Sequence, residues 1–238
     1  MSRSTLVSDT QYIVGVGGFP SIGYALDYVK NTVDMSGFNV TLNLTNSAYN
    51  ECVRVNGPFV GGGTVRIIGQ GATVWKPDAS AWHLLEVNMA RMEIGGIEFW
   101  GGTLDCLHIS RASYVQLFSN RFGRTADYHI DVDTCATVVC SSNYDIIGGG
   151  RAHVAASLGG LFLGYAGVVT SHSPSFSNAF MQASENAVIQ VIQPTYQGVV
   201  YGRKFDAHNG GGVATGRGAN SVLPGSSYGT TQNGGWST

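Results

Sequence analysis

Pairs of apolar residues two apart recur along this chain at a nearly constant interval. Met92 and Ile94 are followed 23 residues later by Val115 and Leu117, then by Val138 and Cys140, then by Leu161 and Leu163. A second set keeps step with the first: LEV at Leu85, LHI at Leu107, IDV at Ile130 and AHV at Ala152. Residues two apart lie on one face of a strand, so each period holds at least two short strands. Asn120 and Asn143 mark the turn after the first set in two successive copies. A strand-rich period of 20 to 50 residues is the signature of a solenoid, in which each coil buries its apolar ring only against the next. A leucine-rich repeat would need an L-x-x-L-x-L rhythm and its asparagine signature, and neither is present.

The expectation is an all-β fold: a single-stranded right-handed parallel β-helix of about 23 residues per coil. Composition agrees. The 238 residues include 34 glycines and only 12% charged residues, and glycine costs about 1 kcal/mol in a helix interior but suits corners. After about Gly164 the phase loosens. The next strands are placed at FMQAS (Phe180) and AVIQVIQ (Ala187), with SHSPSFSN as a longer loop that absorbs the slip.

The first 38 residues read differently. Ile22, Ala25, Leu26, Val29 and Val33 share one helical face, Ser21 stands as N-cap after Pro20, and Gly37 closes the segment. One amphipathic helix is expected there, laid as a cap over the open end of the first coil. The alternation in NVTLNLTN then begins the stack, which is expected to run over residues 39–200. An irregular glycine-rich segment, 201–238, has few apolar residues and is expected to wrap a partner for capping or assembly.

Several partner classes can be set aside. A net charge of −2 and pI near 6.3, with no Lys/Arg cluster, give no basic face for nucleic acid. No apolar run reaches the ~18 residues of a membrane span, and no apolar leader precedes the fold. Assembly in a cytoplasm is therefore expected, and Cys52, Cys106, Cys135 and Cys140 are expected to be reduced core residues.

Side chains between the inward positions point outward. If Leu85 and Val87 face in, Glu86 faces out, and the repeat carries that position to His108, Asp131 and His153. His129 and Asp133 flank this row. Three readings apply to it: a structural row that also guards register, a face that binds glycan or works on it with paired carboxylates, or metal binding by His108, His129, Asp131 and Asp133. The last lacks a spacing motif, so neither metal nor cofactor is expected. Glu98 with Asp105, or Asp131 with Asp133, are the candidate catalytic pairs. Trp100, with Trp75 and Trp82, is either a stacking platform for sugar rings or corner packing.

Three stretches together, QYIVGVGG, then MSGFNVTLNL, then VNGPFVGGGTVRIIGQG, resemble the N-terminal half of bacteriophage tail and fibre proteins with a right-handed β-helix. The closing stretch GRKFDAHNGGGVATGRGANSVLPGSSYGTTQNGGWST resembles the glycine-rich C-terminal signature of the same proteins, with Gly210, Gly211, Gly212, Pro224 and Gly225 as assembly residues. The resemblance implies a virion appendage, assembled in a bacterial cytoplasm as a homotrimer among other virion structural proteins, that contacts a host cell-surface glycan. No catalytic motif of the family is matched. Adhesion is thus the expected role, with a polysaccharide depolymerase or a purely structural decoration protein as alternatives.

Overall fold

The computed structural model describes residues 3–77, 82–192 and 194–238. The chain winds into a parallel β-solenoid of about eight turns, with all strands of the stack paired in parallel. The two sets of repeats are two columns of strands. In one, Val65–Lys76, Arg91–Phe99, Tyr114–Phe118, Thr137–Cys140 and Leu161–Gly164 lie in order, so that Val65, Met92, Val115 and Val138 stack in register. In the other, Val53–Asn56, Leu85–Asn88, Leu107–Ser110 and Tyr128–Val132 bring Val53, Leu85, Leu107 and Ile130 into line. All of these apolar residues are buried, because a parallel coil leaves its inner face no neighbour except the coils above and below.

The corner between the two columns repeats as closely as the strands. Arg111 and Ala112, Thr134 and Cys135, Leu158 and Gly159, Glu185 and Asn186, Asn209 and Gly210, and Asn233 and Gly234 all have positive φ, between 47° and 80°. The flanking backbone closes from Ser113 N to Ser110 O, from Ala136 N to Asp133 O, and likewise down the stack. Two left-handed central residues are the mark of a type I′ turn. Each turn also bonds to the next, as in Ala112 N to Thr134 O at 3.0 Å and Cys135 N to Leu158 O at 3.1 Å. Stacking thus holds ordinary side chains in a conformation that costs roughly 1–2 kcal/mol per residue.

The even period fails at one place, with consequences for the surface. Leu117 and Arg121 are four apart, but their partners Cys140 and Asp145 are five apart, so the turn Ser141–Tyr144 holds one extra residue. Buried Tyr144 fills the slot of buried Asn120, while Asn143 is exposed. From there the register moves by one. Val138 pairs with Phe162 rather than Leu161, and Ile130 with Val154, so Leu161 and Leu163 face outward. Asp131 meets Ala155 instead of His153. His153, two residues short of that register, lies opposite His129 instead, and both are fully buried.

The segment SHSPSFSN is part of the strand Val168–Ala183 rather than a loop. Its extra residues are taken up as register shifts against Gly150–Ala156 and Thr195–His208, which is how a sheet absorbs insertions without leaving its ladder. The strand expected at AVIQVIQ covers Val188–Val191, and Gln193 lies outside the described residues. The glycine-rich tail also stays in the stack: Asp206 pairs with Thr230 and Gly212 with Trp236. Backbone hydrogen bonds hold these coils where apolar side chains are few. A Cβ at Gly212 would overlap the Trp236 indole, and one at Gly210 or Gly211 would strike Asn186 or the backbone after Ala183. Gly225, after Pro224, runs against the Lys204 backbone. These glycines thus have a reason within the chain.

The expected helix spans Ile22–Thr32 and buries Ile22, Ala25, Leu26 and Val29. Ser21 Oγ accepts from Tyr24 N at 3.1 Å, and Glu51 takes the Ile22 and Gly23 amides at 2.8 and 3.0 Å, which satisfies amides that a helix start leaves free. Thr10–Val14 pairs with Val40–Leu44, so the arm before the helix contributes a strand to the stack.

Inside, aromatic rings follow one another along the axis. Trp75 meets Phe99 at 5.9 Å between centroids and Phe99 meets Phe122 at 5.8 Å. Phe122 then stacks on His129 at 5.6 Å, and His153 on Phe180 at 5.2 Å. His129 Nδ1 lies 2.9 Å from His153 Nδ1, and His153 Nε2 lies 3.1 Å from the Tyr144 hydroxyl. One Nδ1 must donate and the other accept, so the two rings cannot both be charged. Burial holds the His129 pKa down to about 4. Burial and the neighbouring His129 hold His153 well below its ordinary value.

Two outcomes follow. Ala112→Gly should leave stability unchanged or raise it by up to about 1 kcal/mol in a urea titration, the reverse of glycine's usual effect, because φ at Ala112 is 58°. The unfolded chain takes up protons near pH 6.5 that folded His129 refuses until about pH 4. The contribution of His129 to stability should therefore be full above pH 6.5 and be lost as pH drops toward 4. His129→Phe should flatten that fall in thermal melts taken at each pH.

Candidate functional site

The outward row of the second column is longer than its sequence suggests and has different members. Arg54, Glu86, His108 and Asp131 are successive partners in register. Arg54 Nε lies 2.5 Å from Glu86 Oε2, and Asn88 Nδ2 donates to Glu86 Oε1 at 2.8 Å. Burial opposes the Glu86 carboxylate, but these partners outweigh it and hold its pKa below the ordinary value. Below Asp131 the row continues with Ala155, Gln182 and Asp206, so its charged upper part is confined to four coils.

Beside this row, the turns entering the strands bring more ligating groups to the same place. His83 stands two residues before Leu85 and Asp105 two before Leu107. The bond from Leu84 N to Asp105 O at 2.9 Å stacks one turn on the other. His83 Nδ1 lies 2.8 Å from Asp105 Oδ2, and the His83 and His108 rings stack at 4.3 Å. His108 Nδ1 is 3.0 Å from Asp131 Oδ2 and 3.6 Å from Asp105 Oδ2, while its Nε2 is 3.8 Å from Asp133 Oδ2. Tyr128 N donates to Asp105 Oδ1 at 2.9 Å.

The cluster divides its carboxylates. Burial opposes a charge on Asp105, but His108, His83 and the Tyr128 amide together keep its pKa below the ordinary value. Asp131 is pushed up, by burial first and by repulsion from Asp105 and Asp133, although His108 pulls the other way. Burial also opposes the His108 imidazolium, and the carboxylates of Asp105, Asp131 and Asp133 overcome it, so its pKa is pushed up to about 10. At neutral pH the centre of the cluster is a cation held by carboxylates on two sides.

Next to it lies an open groove of about 430 Å³, lined by Cys52, Val53, Arg54, Trp82, His83 and Glu86. Trp82 is 59% exposed, and the Arg54 guanidinium lies over its ring at 5.6 Å. A large indole presented to solvent beside hydrogen-bonding side chains is a stacking surface with polar handles.

The other candidates lie elsewhere. Glu98 accepts from Arg121 Nη1 at 2.6 Å and from Trp100 Nε1 at 2.7 Å, and Arg121 also approaches Asp145. Glu98 and Asp105 share no partner. Trp100 is turned to Glu98 and covers Gly123, where a Cβ would overlap its indole. Trp75 is fully buried and donates Nε1 to Glu51 O at 2.9 Å. His129 and His153 belong to the core and cannot reach a ligand on the outward face. The four cysteines are free; Cys106 and Cys140 are buried as expected, but Cys52 is half-buried and Cys135 exposed, because Cys135 occupies a left-handed corner.

Sequence reading missed His83 and Arg54, while Trp82 was among the indoles it offered as a stacking surface. His83 carried a signal, since its offset from Leu85 equals that of Asp105 from Leu107. Arg54 did not, because the coil between it and Glu86 spans 32 residues.

No family model, curated protein or solved structure matches this chain. The resemblance to phage tail and fibre proteins is therefore without a counterpart among those comparisons, and the site has to be read from its own chemistry.

Asp105→Asn should weaken one of the contacts that hold the His108 proton. In NMR titrations the imidazolium of the parent chain should persist toward pH 10, and the variant should titrate closer to 6.5. The stabilisation from this proton is complete below pH 6.5 and is lost as pH rises through about 10. An unmoved His108 pKa in the variant would contradict the cluster as described.

Proposed function

We propose that this chain is a structural and recognition component of a phage or phage-like particle, a homotrimer that adheres to a host surface polysaccharide. The observation that carries the recognition part is the Trp82 groove with Arg54, His83 and Glu86 around it. An indole face takes the apolar side of a sugar ring, and the flanking charged groups take its hydroxyls. The solenoid suits the task because its rigid, repeating face can follow an extended chain.

Self-association is supported by a second surface. On the outward side of the first column, Tyr114, Gln116, Phe118, Thr137 and Val139 are followed by Leu161, Leu163, Val188 and Gln190. These positions carry no charge over several coils. Side-by-side copies would cover them, and the one-residue register shift is what turns Leu161 and Leu163 onto this side.

One observation favours the depolymerase alternative. Asp105 and Asp131, on either side of His108, are driven in opposite directions, which is the arrangement that lets one carboxyl act as acid and another as base. Asp131 with Asp105, both near His108, replaces the pair Glu98 with Asp105 in that reading.

Host envelope polysaccharides on an array distinguish these readings. The parent chain, weighed in solution as three copies, is expected to bind one polysaccharide class, and Trp82→Ala to bind it at least tenfold more weakly. Binding to none would leave a purely structural role. Release of reducing ends or unsaturated products, lost in Asp131→Asn, would make the protein an enzyme.

A further inference from the structure

We propose that His83, Asp105, His108 and Asp131 together bind one small divalent transition-metal cation of the zinc type, at the inner edge of the Trp82 groove. The donor set is the first support. Two imidazole nitrogens and two carboxylate oxygens suit a borderline-soft cation such as zinc, whereas calcium and magnesium favour sites made of oxygen alone.

Geometry is the second. The candidate ligand atoms of His83, Asp105 and His108 all lie within 4.8 Å of one another, as do those of His108, Asp131 and Asp133. Neighbouring donors are 2.8, 3.6 and 3.0 Å apart around His83 Nδ1, Asp105 Oδ2, His108 Nδ1 and Asp131 Oδ2. Four ligands placed tetrahedrally at zinc distances stand roughly 3.3 Å from each other; the two triads meet at His108, so His83 and Asp105 on one side and Asp131 on the other would draw in around it to close on one ion.

A third, independent observation is an unanswered atom. His83 Nδ1 is buried and has no hydrogen-bond partner, because it sits beside Asp105 Oδ2 without the alignment that such a bond requires. Asp133 Oδ1, at the other side of the cluster, is also buried and unpartnered. Buried polar atoms left without partners in a native fold call for an explanation, and an ion is one. The support around the ligands is already in place: the Tyr128 amide holds Asp105 Oδ1 and leaves Oδ2 turned to the imidazoles, and the two rings are stacked. His83 belongs both to the cluster and to the groove wall, so a cation has an approach from solvent. On binding, it takes the place of the proton on His108.

The ligands come from three successive coils, so an ion would pin those coils to one another at the groove. This inference does not rest on what the groove binds, and its test uses no glycan. The full chain, stripped with a chelator, is titrated with zinc chloride alone by calorimetry, and with cobalt(II) followed by visible absorption. One ion per chain is expected, with the intense cobalt bands of tetrahedral coordination. His83→Gln and Asp105→Asn should each weaken zinc roughly 10- to 100-fold, and His172→Gln, at an exposed histidine, should not. His83 lies outside the strands, so its variant decides the matter even if Asp105→Asn fails to fold. No uptake, uptake unchanged by His83→Gln, or weak octahedral cobalt bands would each overturn the proposal.

Discussion

The hydrogen bonding of each coil to the coil before and after it is the interaction on which everything else in this protein depends. A single coil of about two dozen residues has no interior. Its apolar side chains are shielded only when equivalent side chains from the neighbours close over them, and the backbone ladders that hold neighbours about 4.8 Å apart set the spacing at which that happens. The type I′ corners show how strict the demand is. Arg111, Ala112, Thr134 and Cys135 hold left-handed conformations that they would rarely adopt alone, and they do so because each corner bonds to the next.

The same register that builds the core composes the surface. Side chains equivalent in the repeat become vertical neighbours, so Arg54, Glu86, His108 and Asp131 form a row of alternating charge. An exposed row of this kind contributes little to stability. Here the entering turns add His83 and Asp105, and the result is a half-buried cluster of imidazoles and carboxylates. Its carboxylates differ in their hold on protons because one is met by donors and the other by burial and like charge.

One inserted residue shows how sensitive such a surface is. The turn Ser141–Tyr144 is longer by one than its predecessor, and because side chains alternate along a strand, that residue changes which of them face out. It turns Leu161 and Leu163 outward, where they extend an uncharged face.

The amino-acid sequence by itself determined the architecture. The spacing of Met92, Val115 and Val138 and of Leu85, Leu107 and Ile130 already specifies stacked parallel coils, and the pattern at Ile22, Ala25, Leu26 and Val29 specifies the helix, because both rest on local periodicity. It also held the core of the site, Glu86, His108 and Asp131, since these lie where the period is even. Only the tertiary structure decided the rest. The corners lack the Asn-Gly signal except at Asn209 and Asn233. Arg54 is hidden by a coil of irregular length, Leu161 is misplaced by a count that is off by one, and His153 by a count that is off by two. Which side chains meet across coils depends on the accumulated register, and a single extra residue changes every meeting that follows it while leaving the local pattern of each strand intact.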